Sequence, residues 1–514
     1  MTGQGLVSAV SNGTAQITAK SGNVSASVTV TVSQKATRIV IEPSAATLMA
    51  IGQTLQLAAS VFDRNGQPVP DAVVTWKSSD EAVATVNDQG LVTAVIDGTA
   101  RITARSRGVE GFATIMVRDT GRDRAALIAL YHATDGPNWK NNANWLTDNP
   151  LNEWYGVATD QTGRVVGLHL ADNQLSGSIP SELGKLSTLQ ELAIYDNQLS
   201  GSIPPELGEL SNLTGLFLGD NQLSGKIPSE LGDLTNLTQL VLGDNQLSGS
   251  IPSELGKLAN LTRLSLRRNQ LSGSIPAELG KLANLTILEL SYNRLSGSIP
   301  PELGDLVNLP TLDLDSNELS GSIPPELGKL TNLTRLSLRR NKLSGSIPSE
   351  LGNLTNLNRM DLYINQLSGG IPGELGNLTN LTQLVLGDNQ LSGSIPSELG
   401  NLTNLTHMEL SNNRLSGRIP GELGNLTNLI DLGLYNNQLS GSIPEELGSL
   451  SNLEYLDLGR NNSLFGRLPD TFTSLTNLIS LYLDHTLLCV PPSPEFAAWV
   501  NGIQTTKGVV SCGR

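Results

Sequence analysis

Two arginine-rich segments contain the residue types best suited to bind an anionic ligand. "NLTRLSLRRNQLSGSIP" runs from Asn260 to Pro276, and "NLTRLSLRRNKLSGSIP" runs from Asn332 to Pro348. Each contains three arginines, and a guanidinium group recognises carboxylate and phosphate groups through paired hydrogen bonds. Whether these arginines bind a ligand or pair with acidic neighbours depends on the elements that position them.

Other residues capable of chemistry do not form an active-site pattern. The sequence contains no P-loop, G-x-S-x-G, H-E-x-x-H or dinucleotide-binding motif, and its four histidines lie in distant segments. Glutamates recur every 24 residues from Glu182 to Glu446. They could bind cations, or they could be a solvated face whose charges suit the start of short helical turns. We expect a non-enzymatic protein with no catalytic residue, metal site or cofactor.

Composition excludes two further classes of partner. The chain has 514 residues and a formal net charge of −15, which argues against binding nucleic acid or an anionic membrane surface. No run of 18 apolar residues is present, so we expect no membrane insertion within this chain. The start "MTGQGLVSAV" lacks the features of a signal peptide.

The first 33 residues are similar to a later segment of the chain. Residues Gly5 to Val32 align without a gap to residues Gly90 to Val117. We therefore interpret residues 1–33 as the truncated C-terminal half of a second copy of the domain at 36–118. On this interpretation the chain is a fragment of a longer protein, with any export signal and anchor outside it.

Residues 36–118 show the alternation of an antiparallel β-sandwich. Short alternating runs such as "TRIVIEP" and "AVATVND" are separated by Gly, Asp, Asn and Pro turns, and Trp76 is expected to fill the core. The stretch "VTWKSSDEAVATVNDQGLVTAVIDGTARITA" resembles the bacterial immunoglobulin-like domains of group 2. This resemblance implies a spacer domain of a bacterial surface protein.

A 24-residue repeat fills the centre of the chain. Residues Val165 to Asn452 form 12 such units without a gap, each similar to "LTQLVLGDNQLSGSIPSELGKLAN". A fixed period of this length predicts a solenoid in which each coil buries its leucines against its neighbours. One short strand per coil would stack into a parallel sheet. Asn245 and its equivalents would bond to backbone groups of adjacent turns, and Gly256 is expected to adopt a positive φ.

The repeat resembles the leucine-rich repeats of the plant-type subclass, which also occur in bacterial surface proteins. The resemblance implies a parallel sheet with short 3-10 or loop segments on the convex side and helical caps at both ends. We assign residues 120–164 to the N-terminal cap, residues 165–487 to the repeats and residues 488–514 to the C-terminal cap. The chain is thus multidomain, an all-β sandwich followed by a solenoid.

Aromatic residues and cysteines near the ends of the solenoid suit caps. Trp139, Trp145, Trp154 and Tyr155 could form a sugar-binding platform, but covering the open end of the solenoid is the favoured interpretation. "SPEFAAWVNGI" places Phe496 and Trp499 at helical spacing. Cys489 and Cys512 flank this segment, and we predict a disulfide between them, which suits an exported protein.

In leucine-rich repeat proteins the exposed sheet commonly binds the ligand. Its outward residues are the third, fifth and seventh of each unit, and in the central coils many of these, and of the adjacent eighth residues, are charged or aromatic. The candidate ligand-binding residues are Arg263, Arg267, Arg268, Tyr292, Asp313, Asp315, Arg335, Arg339, Arg340, Arg359 and Tyr363. Because the charges are mixed, these residues could pair with one another or recognise a ligand.

The sequence supports two hypotheses for function. The first is an extracellular or cell-surface recognition or adhesion protein that binds a protein or peptide on the repeat sheet, with an acidic ligand best suited to the arginines. The alternative is a surface or ice-binding scaffold, because a threonine column runs from Thr214 to Thr286, although Pro310 and Asn358 interrupt it further along.

Overall fold

A computed structural model describes residues 3–513 of the chain. The chain divides into two compact units. The first contains Met1–Leu127 and Thr159–Val165, and the second contains Ile128–Ala158 and Val166–Arg514. In the described residues, no helix is both long enough and apolar enough to cross a membrane.

The first unit contains an immunoglobulin-like sandwich of short strands. A four-stranded sheet, a three-stranded sheet and a strand pair surround a core that includes Leu57, Ile102 and Ile115. Trp76 is half-buried and packs against this core rather than filling its centre. The strands are Arg38–Glu42, Ala45–Leu48, Thr54–Gln56, Ala58–Phe62, Thr75–Ser78, Ala84–Val86, Leu91–Ala94, Gly98–Ser106 and Val109–Val117.

A separate hairpin precedes the sandwich. Its strands Gly13–Ser21 and Val24–Val32 pair in register Gly13↔Val32, which matches Gly98↔Val117 in the sandwich. The alignment of the two segments therefore extends to their strand pairing. In the hairpin nearly every side chain is exposed, whereas alternate residues of Gly98–Ser106 are buried.

The second unit is a solenoid whose main sheet, over the described residues, has 16 strands that pair in parallel from Val165–His169 onward. Each strand is three residues long in most coils, and its central residue, usually leucine, is fully buried. The strands of this main sheet are Val157–Thr159, Val165–His169, Glu191–Ala193, Gly215–Phe217, Gln239–Val241, Arg263–Ser265, Ile287–Glu289, Thr311–Asp313, Arg335–Ser337, Arg359–Asp361, Gln383–Val385, His407–Glu409, Asp431–Gly433, Tyr455–Asp457, Ser480–Tyr482 and Thr505–Lys507.

Each coil also contains a second strand, which the sequence analysis missed. The Q-L-S-G segment of a coil buries its leucine, as at Leu247, and pairs with the next coil before a glycine of positive φ, as at Gly249. In the described residues the first two of these strands, Ser176–Ser178 and Gln198–Ser200, form a separate two-stranded sheet, and the others form a 12-stranded second sheet. The strands of the second sheet are Ser224–Gly225, Gln246–Gly249, Gln270–Gly273, Arg294–Gly297, Glu318–Gly321, Lys342–Gly345, Gln366–Gly369, Gln390–Gly393, Arg414–Gly417, Gln438–Gly441, Ser463–Arg467 and Leu487–Cys489.

Short 3-10 turns form the third part of each coil. The prediction of a positive φ at Gly256 was wrong: a Cβ there would lie 2.5 Å from the carbonyl oxygen of Glu278 in the next turn, so glycine permits close packing of coils. The 3-10 segments are Gly136–Asn138, Leu151–Glu153, Ser181–Lys185, Pro205–Glu209, Ser229–Asp233, Ser253–Lys257, Ala277–Lys281, Pro301–Asp305, Pro325–Lys329, Ser349–Asn353, Gly373–Asn377, Ser397–Asn401, Gly421–Asn425, Glu445–Ser449 and Asp470–Ser474.

The repeated asparagine of each unit joins neighbouring coils, as the sequence predicts. Asn437 is buried, and its Nδ2 donates to the carbonyl oxygens of Leu434 at 3.1 Å and of Leu410, one coil earlier, at 3.1 Å. Its Oδ1 accepts from the backbone N–H of Leu415 at 2.9 Å. One side chain thus satisfies backbone groups that the apolar interior would otherwise leave without partners.

The ends of the solenoid are closed by aromatic caps. At the N-terminal end, Trp139, Trp145 and Trp154 are buried and their rings contact one another in sequence, which fits the covering role rather than a sugar platform. They follow the helix Thr120–Ala133.

At the C-terminal end the helix Pro494–Gly502 buries Phe496, and Trp499 Nε1 donates to the carbonyl oxygen of Leu475 at 3.1 Å. The predicted disulfide between Cys489 and Cys512 is present. It links the last strand of the second sheet to the segment after this helix.

Asn437→Ala should lower the free energy of unfolding of the repeat unit by about 2–4 kcal/mol, because it leaves buried backbone donors and acceptors without partners. Chemical denaturation measures the loss. Gln438→Ala is the matched control: Gln438 is exposed in the next position, so its replacement should change stability by less than about 0.5 kcal/mol. Equal stability of the two variants would contradict this role for the asparagine.

Candidate binding surface on the main sheet

The predicted site residues lie along the solvent-facing side of the main sheet and its following turns. Arg263, Asp313, Arg335 and Arg359 lie within strands. The others come directly after the strands. Arg268, Tyr292 and Arg340 occupy equivalent positions with φ of 49°, 56° and 53°, in the left-handed region.

The first arginine strand, which we define as Arg263, Arg267 and Arg268, is paired with acidic neighbours. Arg267 Nε lies 3.1 Å from Asp244 Oδ2, and Arg268 Nε lies 3.7 Å from Asp244 Oδ1. Arg263 Nη2 lies 3.6 Å from Glu289 Oε2 on the adjacent strand. For this strand the structure favours self-pairing over an open binding site.

The second arginine strand, which we define as Arg335, Arg339 and Arg340, differs from the first in its ion pairing. Arg335, Arg339 and Arg340 form no ion pair within residues 3–513. The Arg339 guanidinium lies 5.7 Å from the centroid of the Tyr363 ring, and Arg339 Nε is buried without a hydrogen-bond partner. Three cationic side chains of one coil therefore remain available to an anionic ligand.

The remaining predicted residues are already engaged by the protein. Arg359 pairs with Asp361 on its own strand at 2.9 Å. The Arg268 guanidinium lies 5.3 Å from the Tyr292 ring centroid. Asp315 is buried, a condition that raises its pKa, and it accepts from Ser337 Oγ at 2.7 Å and from the Arg339 backbone N–H at 2.8 Å. Asp315 thus holds the second arginine strand from the preceding coil.

An acidic hollow in the next coils was missed by the sequence analysis. Its volume is about 420 Å³, and Arg339 and Arg359 border it. We define this acidic hollow by its lining residues Tyr363, Asp388, Glu409, Tyr435, Tyr455 and Asp457. The signal was present in the sequence as carboxylates and tyrosines at outward positions, but their convergence arises only when the coils stack.

The surroundings of several carboxylates in and beside the acidic hollow disfavour their ionised form and raise their pKa values. Burial is the largest cause that raises the pKa of Glu409, and the nearby charge of Asp431 raises it further. Burial is likewise the largest cause that raises the pKa of Asp457, and the nearby charge of Asp484 adds to it. Asp431, on the strand between them, has its pKa raised by burial and has a buried Oδ1 without a hydrogen-bond partner. Interaction with Asp388 and burial together raise the pKa of Tyr363 to about 12.

Family models match both parts of the chain. A bacterial Ig-like domain model of group 2 matches residues 35–117. A leucine-rich repeat region model matches residues 268–418, and a leucine rich repeat model matches residues 235–295. A model of a single leucine rich repeat matches residues 164–186, 188–210, 212–234, 428–450 and 452–475.

Solved structures of plant receptors share the repeat fold. The plant peptide hormone receptor RGFR1 in complex with RGF2 is 35% identical with a TM-score of 0.56, covering 66% of this chain and 62% of the receptor chain. The Arabidopsis receptor kinase HAESA ectodomain, in complex with an N-terminally extended IDA peptide hormone, is 35% identical with a TM-score of 0.61. That match covers 76% of this chain and 64% of the receptor chain. This chain therefore spans slightly less than two thirds of either receptor chain.

One curated protein has a short similarity. A 3-O-alpha-D-galactosyl-alpha-L-arabinofuranosidase of Bifidobacterium longum subsp. longum is 48% identical over 58 residues, which is 11% of this chain and 5% of the enzyme. A match of this extent does not assign the enzyme's activity to this chain.

Glu409→Gln should raise the melting temperature of the repeat unit at pH 7 by about 1–3 °C. The folded state holds this carboxyl at a raised pKa, so its ionised form is penalised at neutral pH, whereas glutamine retains the shape without the charge. On acidification the wild-type side chain takes up its proton first in the folded state. The difference between wild type and variant should therefore disappear at about pH 4, below the ordinary glutamate pKa.

Thermal unfolding at both pH values measures this difference. Glu254→Gln, on a 3-10 turn, is the control and should leave the melting temperature unchanged at either pH. A destabilised Glu409→Gln variant at pH 7 would contradict the electrostatic interpretation.

Proposed function

We propose that this chain, a leucine-rich repeat protein with a bacterial immunoglobulin-like domain before its repeats, is a non-enzymatic extracellular recognition or adhesion protein. Its ligand is a protein or peptide bound on the solvent-facing side of the main sheet. The immunoglobulin-like domain serves as a spacer. The observation that carries the proposal is the second arginine strand, where Arg335, Arg339 and Arg340 lack acidic partners among the described residues.

The chemistry of this strand suits an acidic ligand. Guanidinium groups bind carboxylates through directional, charge-assisted hydrogen bonds. Arginine beside tyrosine is also a composition enriched at the energetically dominant positions of protein interfaces. Arg339 and Tyr363 provide this combination directly after two adjacent strands.

Backbone conformation gives independent support. Aspartate occupies the left-handed position after the strand in the coils of Asp196, Asp220 and Asp244, and aspartate tolerates this conformation. Arg268 and Arg340 adopt it without that advantage, at a cost of order 1 kcal/mol each. Contacts between a ligand and Arg340 would offset this cost.

The similar receptors add a precedent. The solved structures of RGFR1 and of the HAESA ectodomain are complexes with peptide hormones, RGF2 and an extended IDA peptide. Their repeat fold, at 35% identity, is the fold of this chain. We extend only the ligand class, a protein or peptide, to this chain.

The alternative of an ice-binding or surface scaffold receives less support. It relies on the threonine column of the main sheet, but these hydroxyls donate to carbonyl oxygens one coil earlier. Thr238 Oγ1 donates to Thr214 O at 2.8 Å, and Thr262 Oγ1 donates to Thr238 O at 3.0 Å. Because these donors are used between coils, the column offers fewer hydrogen bonds to an external lattice.

An acetylated and amidated hexaglutamate peptide tests the acidic-ligand proposal. Replacing Arg335 and Arg339 with Ala should weaken its binding to the full chain by more than tenfold, because unpaired guanidinium groups are removed. The control, Arg263→Ala with Arg267→Ala, changes the net charge equally but removes arginines that already have acidic partners. It should weaken binding by less than threefold.

Isothermal titration calorimetry at physiological salt measures both variants. Equal losses in the two would show that the peptide senses only net charge and would contradict the assignment to the second arginine strand. Circular dichroism establishes that both variants remain folded, as expected for replacements on the solvent-facing side.

A further inference from the structure

We propose that the acidic hollow binds the arginine or lysine side chain of a basic peptide segment. The inference deepens the proposed function and rests on it, because it adds a second, oppositely charged binding position on the same sheet. It depends on three observations: carboxylates without an ion-pair partner in the described part of the chain, tyrosine rings in the lining, and outward glycines whose bare backbone lets the carboxylate side chains lie across it.

Two carboxylates, Glu409 and Asp457, converge in the hollow without an ion-pair partner among the described residues. The protein's own Arg339 and Arg359 also line it. The strand register places Glu409, Gly433 and Asp457 side by side on three adjacent strands. Glu409 Oε1 accepts from the Ser411 backbone N–H, at 2.7 Å. Asp457 accepts from the Gly459 N–H at 2.9 Å and from the Tyr455 hydroxyl at 3.2 Å. Within the described chain neither carboxylate forms an ion pair.

Glycines at outward positions create the space for these side chains. A Cβ on Gly433 would overlap Glu409 Oε2. A Cβ on Gly387 would lie 3.1 Å from Glu409 Oε1 and 3.2 Å from Tyr363 Cδ2, and one on Gly459 would lie 3.1 Å from Asp457 Oδ1. Most coils carry a side chain at these positions. The hollow therefore forms where three nearby coils have glycine there instead.

Tyrosine rings make an organic cation the best-suited occupant. Tyr363, Tyr435 and Tyr455 line the hollow, and an aromatic face attracts a guanidinium or ammonium group. The protein's own arginines already make this contact with two of these rings: Arg460 lies 5.6 Å from the Tyr435 ring centroid, and Arg339 lies 5.7 Å from that of Tyr363. A basic side chain from a partner would add the positive charge that the central carboxylates lack.

Spacing relates this position to the second arginine strand. The strands Arg335–Ser337 and His407–Glu409 are three steps apart in the main sheet, or about 14 Å at 4.8 Å per step. An extended peptide covers this distance in about four residues. The preferred ligand therefore carries an acidic residue and a basic residue about four positions apart.

The probe for the hollow is an acetylated and amidated Gly-Arg-Gly-Arg-Gly peptide, titrated into the full chain at physiological salt. Glu409→Gln combined with Asp457→Asn should weaken its binding by more than tenfold. Glu254→Gln combined with Glu278→Gln changes the net charge equally on the 3-10 turns and should weaken binding by less than threefold. Equal losses in the two double variants would overturn the proposal.

A charge-neutral variant provides a second test. Gly433→Ala introduces a methyl group where Glu409 Oε2 lies, so it should weaken binding of the arginine peptide at least fivefold without altering the net charge. Undiminished binding would overturn the proposal. Displacement of the peptide by millimolar Ca²⁺ but not by Na⁺ at equal ionic strength would also overturn it, in favour of a metal ion.

The test of the acidic hollow can fail while the proposed function holds, because the two tests use different peptides and different residues. Binding of the hexaglutamate peptide should be retained in the Glu409→Gln, Asp457→Asn variant, because that peptide uses the second arginine strand. If the arginine peptide fails to distinguish the variants while hexaglutamate binding still depends on Arg335 and Arg339, only the acidic hollow is wrong.

Discussion

The hydrogen bonds of the repeated asparagine in each coil are the interaction on which the rest of this solenoid depends. The asparagine amide donates to carbonyl oxygens of its own coil and of the preceding coil, and its carbonyl oxygen accepts a backbone N–H of the preceding coil, as Asn437 shows. Leucines alone could fill the interior but could not satisfy these polar groups. Because one asparagine bonds one coil to the next, every unit stacks in the same register.

Because every coil stacks in the same register, the position of a residue within its unit determines where its side chain lies on the surface. Residues 24 positions apart become neighbours about 4.8 Å apart on adjacent strands, so a few substitutions in successive coils create a patch. Asp244 neutralises Arg267 in this manner across one coil boundary. Where no such partner is available, as for Arg335, or where glycine replaces a side chain, as at Gly433, the same stacking leaves charges or space for a ligand.

Much of this architecture is predictable from the sequence, because period, inward leucines and the asparagine position are properties of a single repeat. The alternation in residues 36–118 predicts the sandwich, and the cysteines near the end predict the disulfide. The second strand of each coil is less visible, since Gln246–Gly249 contains only one apolar residue. The close contact of Gly256 with Glu278 is also hidden, because it arises only when two turns stack.

Side-chain pairing across coils is the part that the sequence could not determine. Arg267 and Arg339 have equivalent positions in nearly identical segments, yet of their two guanidinium groups only that of Arg267 forms an ion pair, because Asp244 lies beside it in the preceding coil. The acidic hollow likewise depends on how Glu409 extends over the bare backbone of Gly433. Such features depend on the residues of the adjacent coil. They make the surfaces of two coils differ even where the coils themselves are nearly identical copies.

The central claim is that ligand binding occurs on the solvent-facing side of the main sheet, between the second arginine strand and the acidic hollow. Hydroxyl-radical footprinting of the full chain, with and without the tightest binder selected from a random peptide library, tests it most directly. The account predicts that labelling of Tyr363, Tyr435 and Tyr455 falls on binding, while labelling of Phe465 and Leu487, exposed on the second sheet, is unchanged. Protection of Phe465 and Leu487 with the three tyrosines still labelled would contradict it.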